Sequence, residues 1–229
     1  MTAQPAFPES RQAMFCDQCG AYAVRRVALN GETGSFRCDA CQRELTRRVL
    51  PLCIVTGASG VGKTTILPHL QRLLPEYGVL DKDAMWARDW DMAYNNLFRV
   101  ASALAQGGRG TVIVGTIIPA HIDSLSDRDL VGRIAYANLH CDDATRARRL
   151  RHRRTWGLPD PAFIDAHREF AHWLLENAEQ RFVPPMPTFD TTTTPPEQVA
   201  TNVAAWVRSA LPQGDSETPE RRISRKPGA

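Results

Sequence analysis

From residue 51 onward the apolar positions switch between two rhythms. Short, predominantly apolar runs at 52–55, 111–116 and 134–141 predict strands buried on both faces. Leu67, Leu70, Leu73 and Leu74 recur at helical spacing over 64–74, with Pro68 expected to bend that helix near its first turn. Residues 92–106 also read as helix, closed by Gly107-Gly108, and residues 196–211 as a last one. Helices over 142–154 and 161–182 are predicted on either side of Gly157-Leu158-Pro159. Two briefer strands complete the pattern. Val79-Leu80 runs into Asp81-Lys82-Asp83, and Thr188-Phe189-Asp190 lies near the end. Strands alternating with helices predict an α/β fold, a doubly wound parallel sheet with helices on both faces.

The first fifty residues follow neither rhythm. Residues 1–13 read as a flexible lead-in and 44–50 as a short basic connector. Between them Tyr22, Val24, Val27 and Leu29 alternate ahead of Gly31 and Gly34, which predicts a β-hairpin. The expected organisation is a small module at 14–45, a larger domain at 50–211 and a polar, disordered tail at 212–229.

Composition narrows the class. An apolar fraction of 43% can bury a core, and 23% charged residues is ordinary for a globular domain. No apolar run approaches the ~18 residues of a membrane helix, and the first residues lack a secretory apolar stretch. Membrane, collagen-like and secreted disulfide classes are thereby set aside, and a cytoplasmic location is expected. A net charge of +3 does not by itself imply nucleic acid. Only three of the 28 basic residues are lysine, namely Lys63, Lys82 and Lys226. That bias weakens any inference from an arginine and makes Lys63 informative.

Lys63 closes the most specific motif in the chain. Gly57-Ala58-Ser59-Gly60-Val61-Gly62-Lys63-Thr64 matches G-x-x-x-x-G-K-[ST] at every fixed position, after a predicted strand and before a predicted helix. Glycines there let backbone N–H groups curl around a phosphate, and the helix N-terminus favours the anion. This chemistry places residues 57–65, Thr65 included, around the phosphates of ATP. Lys63 would reach the β- and γ-phosphates, and the Thr64 hydroxyl would hold Mg²⁺.

On these residues the chain resembles the P-loop small-molecule and nucleotide kinases, the group of adenylate, shikimate and gluconate kinases and chloramphenicol phosphotransferase. The resemblance spans about residues 52–208. It rests also on the Asp ending the second strand, on Arg149-Leu150-x-x-Arg153, and on Asp190-Thr191-Thr192. It implies a five-stranded parallel sheet in the order 2-3-1-4-5. It further implies that Asp83 binds the acceptor or acts as general base, with Asp81 as its partner or near Mg²⁺. Arg149 and Arg153, one helical turn apart in a segment of six arginines, would form a lid over the transferring phosphoryl. Arg146 and Arg151 lie on other faces of that helix and are expected to tolerate substitution. A solvated basic helix or a nucleic-acid contact would explain the same segment. The third strand lacks the terminal Asp that many NTPases use for Mg²⁺, so Thr64 alone is assigned to that ion.

Between Asp83 and Gln106 the chain offers Trp86, Arg88, Trp90, Asp91, Tyr94 and Asn95 to shape an acceptor pocket. The tryptophans would either stack on a flat ring or anchor the helix in the core.

Cys16-x-x-Cys19 and Cys38-x-x-Cys41 are separated by 18 residues, within the spacing of a structural zinc site. Four thiolates close a tetrahedron, and a module this small needs such a staple. It resembles a zinc ribbon. The expected protein is an ATP-dependent phosphotransferase acting on a small-molecule or nucleotide-like acceptor, with ATP, Mg²⁺ and structural Zn²⁺. A polynucleotide 5′-kinase and a non-catalytic ATP-binding regulatory module are the alternatives.

Overall fold

The computed structural model describes residues 14–85, 89–152 and 160–211. The first four strands form one antiparallel sheet in sequence order: β1 (Met14–Phe15), β2 (Tyr22–Asn30), β3 (Thr33–Cys38) and β4 (Glu44–Arg48). The expected basic connector is thus largely a strand, paired with β3 from Arg37↔Glu44 to Thr33↔Arg48. Its residues Leu45 and Arg47 turn half inward while Glu44, Thr46 and Arg48 face solvent, so its pattern is too polar to betray it.

The second sheet is parallel and has five strands. β5 (Leu52–Thr56) is buried at every residue and lies at its centre. β6 (Gly78–Asp81) and β7 (Thr111–Val114) lie on one side; β8 (Ile134–His140) and β9 (Thr188–Asp190) lie on the other. The order is β6-β7-β5-β8-β9, the 2-3-1-4-5 arrangement expected from the resemblance.

Alternation along the central strands sends side chains to two apolar layers. Cys53 and Val55 of β5 point to the layer of α1 (Lys63–Leu73) and α6 (Pro196–Ala210), with Ile66, Leu70, Val199, Val203 and Val207. Leu52 and Ile54 point to the layer of α2 (Trp90–Gln106), with Leu97 and Phe98. Pro68 lies inside α1 without ending it.

Two short elements between β7 and β8 carried no periodic signal: α3 (Pro119–Ile122), opened by its proline, and a 3₁₀ turn at Ser126–Leu130. α4 (Asp143–Arg151) is capped by Asp142, whose side chain accepts from the Thr145 N–H. α5 (Pro161–Asn177) ends five residues before the expected 182, ahead of Pro184 and Pro185, which disfavour helix in the residues before them. The two sheets meet through a third apolar cluster in which Leu130 joins Cys16, Val24, Phe36, Cys38 and Val49. Arg26 reaches from β2 to Asp129 at 2.9 Å. No helix among the described residues is long and apolar enough to cross a membrane.

Candidate active site and metal centre

β5 delivers the chain to the loop 57–62, and α1 begins at Lys63. Gly57 has φ of 149°, and a Cβ there would stand 2.5 Å from the Leu139 carbonyl oxygen. Only glycine lets the loop pass so close to β8. Ala58 and Val61 are buried and anchor the loop from beneath. Lys63 Nζ folds back and donates to the Gly57 and Ala58 carbonyls at 2.7 and 2.8 Å. The ammonium thereby braces the loop.

The loop forms one end of a cavity of about 990 Å³, which Ser59–Thr65 line together with Asp81, Lys82, Asp83, Tyr94, His121, Arg149 and Thr191–Thr194. Arg149 stands beside the loop, its Nη2 donating to the Thr191 carbonyl at 2.7 Å and its Nη1 to Thr191 Oγ1 at 3.2 Å. Thr191 Oγ1 in turn donates to the Val61 carbonyl at 2.8 Å. Arg149 therefore links α4, the exit of β9 and the phosphate loop. Arg153, Trp86 and Arg88 lie outside the described residues.

Arg146 departs from the expectation of a tolerant surface position. It is 1% exposed and lies under Gly60, where a Cβ would come 3.0 Å from Arg146 Cγ. Its Nη2 donates to Asp143 Oδ1 at 2.8 Å. The arginine bias of the chain concealed it, because one buried arginine among many reads as another surface charge.

His167 on α5 was not singled out by the sequence. The Ser59 N–H, one of the loop donors, points to its Nδ1 at 3.2 Å. Burial, reinforced by Lys63 and Arg146, pushes the imidazole down to about 4, so it is neutral at physiological pH. Asp160 and Phe163, on the same helix end, line the cavity with it.

Opposite the loop stands a wall built by the end of β6 and the start of α2. Asp81 Oδ1 accepts from the Asp83 N–H at 2.9 Å and shapes the turn. Lys82 is buried, pairs with Asp83 at 3.0 Å and stands 3.8 Å over the Trp90 ring. Lys82 was legible in principle, being one of three lysines in an arginine-biased chain. Trp90 is 45% exposed, so it faces the cavity rather than anchoring the core. Tyr94 is buried, and Asn95 accepts from the Asp127 N–H.

A candidate metal site lies in the β1–β2 and β3–β4 turns of the antiparallel sheet. Sγ atoms of Cys16, Cys19, Cys38 and Cys41 all fall within 4.8 Å of one another. Cys16–Cys41 and Cys19–Cys38 approach to 3.6 Å. Four sulfurs at a zinc–sulfur distance of about 2.3 Å would be separated by about 3.8 Å, so the donor set fits that ion. The Cys19 backbone N–H draws the Cys16 thiol down to about 7, while Cys19 and Cys41, beside the other sulfurs, are pushed up.

Fold and loop together define the class: an α/β domain built on a five-stranded parallel sheet with a glycine-rich loop of the phosphate-binding pattern, joined to a four-cysteine β module. A sugar kinase from Janibacter sp. HTCC2649 shares this fold at a TM-score of 0.50, with 15% identity over 70% of this chain and 95% of that one. A gluconokinase from Sinorhizobium meliloti 1021 aligns at 0.49, with 16% identity over 72% and 96%. Shikimate kinase from Acinetobacter baumannii aligns at 0.46, with 15% identity over 71% and 94%. No protein-family model and no curated protein sequence matches the chain.

Proposed function

We propose that the protein is an ATP-dependent phosphotransferase that moves a phosphoryl group to a hydroxyl of a small acceptor. One observation carries the reading: the phosphate loop and the carboxylate–aromatic wall line one and the same cavity. Lys63 leaves its loop carbonyls for the β- and γ-phosphates. Backbone N–H groups of residues 57–62 hold the remaining phosphate oxygens, and Thr64 and Thr65 close the loop from the helix side. The Thr64 hydroxyl is the ligand for Mg²⁺, which screens phosphate charge when bound. Arg149 lies where it neutralises charge on the nucleotide, and Arg153 is its proposed companion. Asp83 orients the acceptor hydroxyl.

The sugar kinase of similar fold is in keeping with a small hydroxylated acceptor. The polynucleotide alternative is disfavoured because arginines of the ribbon are engaged by carboxylates: Arg25 by Asp39, Arg37 by Glu44, Arg43 by Asp17. A pure ATP sensor has no use for the wall. We assign the four cysteines to one structural Zn²⁺ that staples residues 14–48.

The test is ATP consumption across sugars, polyols, nucleosides, nucleotides and oligonucleotides. An acceptor-dependent rate that Asp83→Asn lowers by about 10²-fold, with nucleotide affinity kept, supports the assignment. An oligonucleotide as the preferred acceptor, with steep salt dependence, returns the polynucleotide reading.

A further inference from the structure

The wall opposite the phosphate loop contains a second proton-handling group that neither the motif nor the fold supplies. His121 sits on α3, just past the end of β7, and lines the same cavity as Lys63 and Asp83. Its Nε2 lies 2.5 Å from Asp91 Oδ1, in the first turn of α2. An ionised carboxylate only accepts, so this contact assigns the proton to Nε2 and leaves the lone pair on Nδ1. Among the described residues, Nδ1 has no hydrogen-bond partner. The ring is fixed in a second direction by Tyr94, edge-on with centroids 5.5 Å apart. Asp91 and Tyr94 are the groups facing it from α2, and Lys82 and Asp83 continue the wall beyond Trp90.

We propose that His121 is the general base for the acceptor hydroxyl, with Asp91 as its positioning residue and Asp83 holding the hydroxyl in line. The proposal rests on the phosphotransferase reading above. As the acceptor oxygen bonds to the γ-phosphorus, its proton passes to His121 Nδ1. The bond from that phosphorus to the β,γ-bridging oxygen breaks, and the electron pair leaves with ADP. The imidazolium is held by Asp91 and returns its proton to water after product release. Two features favour the imidazole. Its free nitrogen is held in one orientation by two contacts. The Asp83 carboxylate already balances the buried Lys82 ammonium. Burial, then Asp83 and Asp91, push the Tyr94 hydroxyl up to about 12, so that phenol stays a donor and does not compete as base.

Magnesium-ATP alone serves as probe, because water at the acceptor end stands in for the hydroxyl. Release of inorganic phosphate is followed from pH 5.5 to 8.5 in wild type and in His121→Gln, Asp91→Asn and Lys63→Ala variants, beside binding of a fluorescent ATP analogue. The wild-type rate should rise with pH through one deprotonation. His121→Gln should lose ten-fold or more and flatten that limb, and Asp91→Asn should lose several-fold and move its midpoint, with analogue affinity unchanged in both. Release that depends on Lys63 but keeps its rate and pH limb in His121→Gln overturns the dyad alone. Absence of release, or equal release from Lys63→Ala, overturns the phosphate-loop reading and the dyad with it.

Discussion

At the residue scale, burial separates arginines that a sequence presents as equals. Arg146 is 1% exposed beneath Gly60, whereas Arg151 is exposed on the same helix. Removing Arg146 opens a void under the phosphate loop and frees Asp143. Arg146→Ala should therefore cost about 2–4 kcal/mol in urea unfolding, and Arg151→Ala less than about 0.5 kcal/mol. Equal costs would deny Arg146 its bracing role. His167 gives a pH prediction with a defined sign. Its folded pKa is lowered from 6.5 to about 4, so the unfolded chain takes up the proton first. The stability it contributes is present above pH 6.5 and is lost as pH falls through 4. His140, also lowered chiefly by burial, acts in the same direction. Urea midpoints should fall between pH 7 and pH 5, and His167→Gln should shrink that fall. An unchanged pH slope in His167→Gln would remove this histidine from the effect.

At the element scale, strands with apolar runs were legible and those with polar faces were not. β5, β7 and β8 are buried nearly throughout, and each shows as a predominantly apolar run. β4 is held by backbone pairing to β3, which leaves no mark on side-chain identity, so its Glu-Leu-Thr-Arg-Arg reads as a connector. α3 is too short for a helical period, and His121 was hidden with it. The phosphate loop was legible because its chemistry needs fixed residues at fixed spacing. The wall was legible in part: Asp83, Trp90 and Tyr94 were expected at an acceptor pocket, but Lys82 and His121 join them only when β6, α2 and α3 are arranged around the sheet. The antiparallel module offers its own prediction. Among the described residues, six form its shared buried apolar cluster, and one of them, Leu130, is borrowed from the larger domain, so a metal held by the four cysteines would carry much of the order. Purified protein should contain one zinc per chain by elemental analysis, lost in Cys19→Ser. Stoichiometric disulfides under reducing conditions would contradict the site.

At the scale of the whole molecule, the parallel sheet gathers the chemistry at one edge. β5, β6, β7 and β9 all end at the cavity, so the phosphate loop, Asp81-Lys82-Asp83, Thr116 and the Thr191–Thr194 turn face one space. Ligands settle beyond the carboxyl ends of such strands as a consequence of the winding. The antiparallel module sits elsewhere, against Leu130 and Asp129, and adds no residue to the described lining of that cavity. Phosphoryl transfer from ATP through the loop is therefore the claim on which the account stands. Its most direct measurement compares wild type with Lys63→Ala on magnesium-ATP and the acceptor panel, with products identified by mass. The account predicts an acceptor heavier by one phosphoryl group from wild type, and at least a hundred-fold slower transfer from a folded Lys63→Ala. Transfer by Lys63→Ala within a few-fold of wild type would contradict it.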